Sequence, residues 1–347
     1  MARSGEGTIN TLEPLDELNA AAPLSRLAAD AMATDSFYTR SNLEVPSIDL
    51  DSWSLTLNGG GMTPMALSMS DLVSFGERTE LVTLECAGNG RILMDPVPAG
   101  APWGLGAVGV AEFTGTPLGG VLEAAGFPED VVEFVFTGLD RGSVEPEGEI
   151  NYAFSLDAQT AFSDGPLLVW QMNGGPLTPE HGAPLRLVVP GNYGMSSVKW
   201  LGAIAAVDQP FSGHFRMKYR YLGDPTASEG ESVERMRVRS LVVSPVDGDE
   251  VEQSLEIRGI AWSGSGYIQS VGVRVDGGDW VDAELGVPLG RLAPTPWELR
   301  LSLQPGRQSI ETRATDSDGN VQPLESVWNQ NGYGNNVVHS ISVRVTE

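Results

Sequence analysis

Thiols and imidazoles are scarce in this chain: one cysteine, Cys86, and three histidines, His181, His214 and His339, among 347 residues. A single thiol excludes an internal disulfide framework, and it cannot by itself build a zinc or iron–sulfur site. No Cys-x-x-Cys-His sequence and no recognisable histidine pair offers a haem site, so no haem is expected in this chain. No apolar run is long enough to span a bilayer, so membrane insertion is not expected either. The first thirty residues carry Glu13, Asp16, Glu17 and Asp30 and lack the basic start and apolar centre of a secretory signal, which makes a cytoplasmic location the default. A trimmed precursor would look the same. Positive charge is the scarcest commodity: 21 Lys and Arg against 46 Asp and Glu leave a formal charge of −25, and only Lys199 and Lys218 are lysines. Such a field repels nucleic acids and anionic membrane surfaces, so neither is expected as a partner. A small anion approaching this protein needs a local cluster of cations to overcome the field.

What is present divides the chain. Residues 1–35 are rich in Ala and acids, with weak helical periodicity at Leu15, Leu18, Ala22 and Leu24, and suggest an N-terminal arm. From 36 to 225 strands and short helices mix at uneven spacing, which indicates an α+β domain. Residues 52–60 alternate and then turn, Ser70 with Asp71 suits a helix start, and Leu81-Val82-Thr83-Leu84-Glu85 is a strand ending at Cys86. Thr116-Pro117-Leu118 with Val121, Leu122 and Ala125 predicts a short helix stopped by Gly126; residues 131–136, 167–172 and 185–190 are further strands. Residues 223–234 are small, acidic and free of pattern until the end, placing a linker at 226–234. Beyond it, over 235–347, six strand-like runs separated by turn residues carry the spacing of an immunoglobulin-like β-sandwich.

Cys86 is a core thiol, a reactive thiol or a soft ligand for a redox metal. The Ala-Gly-Asn-Gly run after it permits close backbone approach to a bulky ligand, and Arg91 supplies a cation nearby. The run Thr83-Leu84-Glu85-Cys86-Ala87-Gly88-Asn89-Gly90-Arg91 resembles the molybdenum-ligand segment of the sulfite oxidase family, which also holds plant-type nitrate reductases and bacterial sulfite dehydrogenases. Further stretches follow that family in order. They are Phe37-Tyr38-Thr39-Arg40-Ser41-Asn42 with the residues to Pro46, Phe113-Thr114-Gly115-Thr116-Pro117-Leu118, Met172-Asn173-Gly174 through Gly191, Ser197-Val198-Lys199-Trp200-Leu201-Gly202, and Gly259-Ile260-Ala261-Trp262-Ser263-Gly264 in the C-terminal part.

The resemblance implies a molybdenum–molybdopterin cofactor with Cys86 as metal ligand. It places His181, Arg186, Ser197, Val198, Lys199 and Asn42 at the pterin and its phosphate. Arg40 and Arg91 become catalytic, stabilising an oxyanion, and an active-site tyrosine falls at Tyr221 or, nearly as well, Tyr219. The implied activity is oxygen-atom transfer, first of all oxidation of sulfite or a similar small oxyanion, with electrons leaving to a separate carrier; the C-terminal domain implies a homodimer. One departure concerns substrate. Where sulfite-oxidising members carry a third arginine after a Trp-Asn step, this chain reads Trp328-Asn329-Gln330-Asn331, and Tyr267 stands where another arginine is common. Losing one charged donor from an anion pocket costs ~1.5–3 kcal/mol unless it is replaced, and Arg216 or Arg220 are candidates to replace it. Two alternatives stand beside the oxidase: a reductase of nitrate or of an S- or N-oxide on the same fold, and a non-catalytic pocket protein with an adhesive immunoglobulin-like domain.

Overall fold

The computed structural model describes residues 12–346 apart from 28, 62, 128, 129, 225 and 228. The first eleven residues of the expected arm, the expected domain end at 225, position 228 of the expected linker and the last residue lie outside the described part.

Two sheets form the first core. In one, the strands Met65–Leu67, Leu55–Gly59, Leu201–Val207, Glu133–Val144 and Gly148–Asp157 lie side by side in that order, with Leu201–Val207 parallel to Leu55–Gly59 and antiparallel to Glu133–Val144. In the other, Gly175–Pro176, Leu167–Met172, Val108–Pro117 and Arg78–Glu85 are antiparallel neighbours, and Arg186–Val188 also pairs with Leu167–Met172. Short helices decorate them. Leu118–Ala125 buries Leu118, Val121 and Leu122, the i, i+3, i+4 stripe, and stops at Gly126 in the left-handed region, as its sequence predicts. Met69–Ser74 begins earlier than expected because Ser68, not Ser70, is the cap: its hydroxyl accepts from the Asp71 amide while the Asp71 carboxylate accepts from the Ser68 amide.

The second unit is a sandwich. One sheet holds Arg239–Ser244, Ser254–Trp262, Thr295–Ser302 and Glu284–Leu285; the other holds Glu250–Val251, His339–Val345, Gly306–Asp316, Ile268–Val275 and Val281–Asp282. Alternate residues from both, among them Val242, Ile257, Trp297, Ile310 and Ile341, form its core. Leu241, Ile260 and Trp262 instead join the core of the first unit, so the two share buried apolar side chains.

Two expectations need correction. The weak helical pattern at residues 15–24 produces no α-helix, only a 3-10 turn at Leu24–Arg26: Glu13–Pro14 pairs with Ala20–Ala21 around a turn in which the Asp16 carboxylate accepts from the Leu18 amide at 2.8 Å. Pro14 and Pro23 each lack the amide that a continuous helix would need. The stretch expected as a linker is folded at its C-terminal end: Glu231–Ser232 pairs with Arg220–Tyr221, and Val233 is fully buried with its amide donating to the Tyr219 carbonyl at 3.0 Å. The apolar side chain arriving after the acidic stretch is what anchors it.

Candidate active site

The strand Arg78–Glu85 is buried over its last four residues, on both faces, because one face packs on the first core and the other meets the sandwich. Glu85 is fully buried. Its Oε1 lies 2.9 Å from Arg239 Nε and accepts from Asn89 Nδ2 at 2.9 Å, and its Oε2 accepts from Trp262 Nε1 at 2.9 Å. Asn89 Oδ1 in turn accepts from the Ala107 amide. The Cys86 amide donates to the Ala107 carbonyl, and the Cys86 carbonyl accepts from the Asn89 amide, closing a turn that Gly90 continues at φ 80°. The backbone on either side of the half-buried Cys86 is thereby fixed from both domains.

Cys86 lines a narrow cleft of about 70 Å³ between the two sheets of the first core. Of the residues singled out in the sequence, Arg40, Asn42, Tyr219, His181, Arg186, Ser197 and Lys199 line the same cleft. Arg186 is buried; its two terminal nitrogens donate to the His181 and Ser197 carbonyls at 3.0 and 3.4 Å, and its Nε is buried without a partner among the described residues. Lys199 Nζ donates to Ser41 Oγ at 2.9 Å and to the Glu180 carbonyl at 2.8 Å. Burial, unrelieved by a counter-ion, pushes the Arg186 guanidinium down to about 10, and burial with the neighbouring Arg186 holds the Lys199 ammonium well below its ordinary value. Asp140, on the strand Glu133–Val144, also lines the cleft; burial raises its carboxyl to about 6 against the pull of Lys199, and its Oδ1 has no partner among the described residues.

His181 enters the cleft as an acceptor. Burial and Arg186 lower its pKa to about 4, so the ring is neutral near pH 7 and has one N–H. Nε2 stands 3.2 Å from the Thr34 carbonyl, which can only accept, so that hydrogen is already committed and Nδ1 is left as an acceptor. Val198 is a core side chain whose carbonyl accepts from the Leu187 amide, and it does not line the cleft. Ser197 Oγ accepts from the Val189 amide at 3.0 Å.

On the substrate-side residues the structure separates the candidates. Tyr219, at the end of the helix His214–Lys218, lines the cleft and its hydroxyl accepts from Asn42 Nδ2 at 3.2 Å. Tyr221 does not line it: its ring packs under Arg237 at 4.4 Å, because the intervening Arg220–Tyr221 segment turns outward to pair with Glu231–Ser232. Arg91 is buried but also outside the cleft lining; it donates to the Asn331 and Ala101 carbonyls and sits 5.6 Å from the centre of the Tyr333 ring, which packs against Tyr219 at 5.1 Å. Neither candidate to replace the third arginine is available: Arg216 pairs with Glu234 at 2.9 Å, and Arg220 donates to the Gly230 carbonyl. Lys218, exposed and likewise outside the cleft lining, lies within electrostatic reach of Arg40 and Arg91. Burial, with Arg40 and Arg91 on its own side, holds its ammonium below its ordinary value, and no described carboxylate pairs with it.

Sequence reasoning passed over Asp140, Lys218, Tyr333 and Glu85. A carboxylate directly after the mostly apolar run Phe134–Leu139 and the rarity of lysine were the available signals for the first two. Tyr333 and Glu85 had none.

The donor set fits a molybdenum–pterin group. Among the described residues no three His, Cys, Asp or Glu side chains gather to hold a metal, so a metal on Cys86 must draw its other ligands from a non-protein group. Buried cations that destabilise one another, with an orphaned guanidinium nitrogen and carboxylate oxygen, are what a polar anionic cofactor would satisfy.

The comparisons with known proteins point to the same class of cofactor. The oxidoreductase molybdopterin binding domain family matches residues 42–215, and the Mo-co oxidoreductase dimerisation domain family matches residues 231–346. The sulfite oxidase of Arabidopsis thaliana is 33% identical over 97% of this chain and 93% of its own length. The mitochondrial sulfite oxidase of Macaca fascicularis is 34% identical over 89% of this chain and 61% of its own length, so the chain spans about three fifths of that relative. Among solved structures, the sulfane dehydrogenase SoxCD from Paracoccus pantotrophus superposes with a TM-score of 0.82 at 25% identity, covering 98% of this chain and 86% of that one.

Proposed function

Because the chain belongs to the sulfite-oxidase-type molybdopterin oxidoreductases, we propose that it oxidises a small anion bearing a lone pair, sulfite first, and passes the electrons singly to a separate carrier. The observation that carries this reading is the meeting of the Cys86 thiol with Arg40, Arg186 and Lys199 in one cleft of a protein whose net charge is −25. When bound, the molybdenum–pterin group would supply the oxygen atom and accept the electron pair, and Cys86 would hold its metal.

The chain's own residues bind, orient and neutralise. Arg186 and Lys199, with Ser197 and Asp140, are the groups that would hold the pterin and its phosphate; the Nδ1 of neutral His181 offers an acceptor, not a donor. Arg40 presents its guanidinium beside Asn42 and Tyr219, where an anion would meet it. Arg91 acts from outside the cleft wall, through Tyr333, and Lys218 supplies the positive charge that Asn331 does not. Arg40 in the cleft, with Arg91 and Lys218 beyond its wall, supplies the local attraction that opposes the acidic surface. Tyr219, buried and pushed above its ordinary pKa by that burial, stays a neutral phenol able to donate. The match of residues 231–346 to a dimerisation family supports a homodimer.

The test is metal analysis followed by paired assays. One molybdenum per chain is expected in the wild type and none in Cys86→Ser; a metal-free wild type purified from cells competent in pterin synthesis refutes the enzyme reading. Sulfite with ferricyanide should turn over, and activity confined to nitrate or a sulfoxide with reduced viologen would establish the reductase instead.

A further inference from the structure

The N-terminal arm touches the cleft-lining Arg40 through the side chain of Asn19. Asn19 is 6% exposed, and the hairpin of Glu13–Pro14 with Ala20–Ala21 is stitched to the strand-like segment beyond by mutual backbone hydrogen bonds between Ala20 and Thr39. Asn19 Nδ2 faces the Asp16 carboxylate at 2.6 and 2.7 Å, and a carboxylate only accepts, so the amide orientation is fixed: nitrogen toward Asp16, oxygen toward Arg40. That oxygen accepts from Arg40 Nη1 at 3.1 Å and from the Ser41 amide at 3.2 Å. The same Nη1 also donates to the Ser41 carbonyl, and Nη2 donates to Asn42 Oδ1 at 2.7 Å. Asn42 Nδ2 continues to the Tyr219 hydroxyl at 3.2 Å. Five side chains thus form one directed chain: Asp16, Asn19, Arg40, Asn42, Tyr219. Burial raises the Asp16 carboxyl, but its bonds to Asn19 and the Leu18 amide, with the charge of Arg40, hold it below its ordinary value overall, so this end is an anion at neutral pH.

We infer that Asn19 is a positioning residue for anion binding, with Asp16 setting its orientation. It holds the back of the Arg40 guanidinium so that the remaining N–H groups face the cleft beside Asn42 and Tyr219. Without it, Nη1 keeps only the local Ser41 carbonyl, and the guanidinium is free to swing toward the surrounding acidic surface. The arm is then part of the anion site and not an appendage to it. This rests on the reading of the cleft as an oxyanion site.

The experiment uses the full-length, cofactor-loaded protein and two readouts: KM and kcat for sulfite, and the dissociation constant of inorganic sulfate by calorimetry. Asn19→Ala should raise both KM and the sulfate Kd about tenfold, the loss of one bond to a charged group, with molybdenum content and kcat within about twofold of wild type. Asp16→Ala, which frees the amide to flip while leaving Asn19 in place, should move both constants in the same direction by about threefold. Unchanged KM and Kd in both variants overturn the inference, as does a loss of molybdenum or thermal stability with the constants unmoved, which would make the arm purely structural. A wild type that binds sulfate without oxidising sulfite refutes the reaction and leaves the sulfate comparison to judge Asn19. A wild type that does neither overturns both.

Discussion

Glu85→Gln tests whether the sandwich domain braces the thiolate segment. Glu85 and Arg239 are 0% and 1% exposed, so neither charge can turn to water if the other is lost. The substitution leaves the Arg239 guanidinium buried opposite a neutral amide, and one of the two amide termini must face a donor, either Trp262 Nε1 or the Asn89 and Arg239 side. Breaking a buried pair by removing one partner costs about 3–5 kcal/mol. An unfolding entropy near 2 cal/mol/K per residue gives ~0.7 kcal/mol/K for a chain of 347 residues, so Tm should fall by about 6 °C. Because Glu85 immediately precedes Cys86, molybdenum occupancy should fall with it, a loss that a remote core lesion of equal ΔTm would not produce. Arg239→Met alone should behave like Glu85→Gln, while the double variant should lose clearly less than the sum, since no uncompensated charge remains. Differential scanning calorimetry with metal analysis on the same samples decides it. A Tm within one degree of wild type, or strict additivity in the double variant, would refute the argument that this pair carries the domain contact.

Lys218→Met should raise KM for sulfite about fivefold, with Lys218→Arg close to wild type, and the effect should shrink at high salt because the residue is exposed; equal KM in Lys218→Met and wild type would remove Lys218 from the anion site. The pH dependence of the cofactor-free protein follows from opposing shifts. Asp140 is raised to about 6, so the folded state holds its proton more tightly and stability contributed by the neutral acid is lost as pH rises from about 4 through 6. His181 and His339 are both lowered to about 4, so their contribution is present above about 6.5 and lost as pH falls through 4. Between pH 4 and 6 the two trends oppose, and Asp140→Asn should therefore make stability rise more steeply with pH in urea unfolding; an unaltered slope would show that Asp140 is not a buried titrating acid.

The sequence alone determined a good deal of this protein, because the information was local. The β-branched run ending at Cys86, the stop of the 118–125 helix at Gly126, and the regular strand spacing of the sandwich depend on residues a few positions apart. The order of the motifs around Cys86 is likewise a property of the linear chain, and it pointed to the cofactor chemistry that the family comparison supports. What the tertiary structure decided concerns side chains whose partners lie far away. Tyr219, and not Tyr221, meets the cleft because Asn42, 177 positions earlier, stands across from it. Arg91 is turned onto Tyr333 and the Asn331 carbonyl, 240 positions on. His181 loses its donor to Thr34, and Arg216 is taken by Glu234. Each depends on which groups folding brings into contact. A hydrogen bond has no periodicity for a sequence to display, and burial makes its partner's identity decisive.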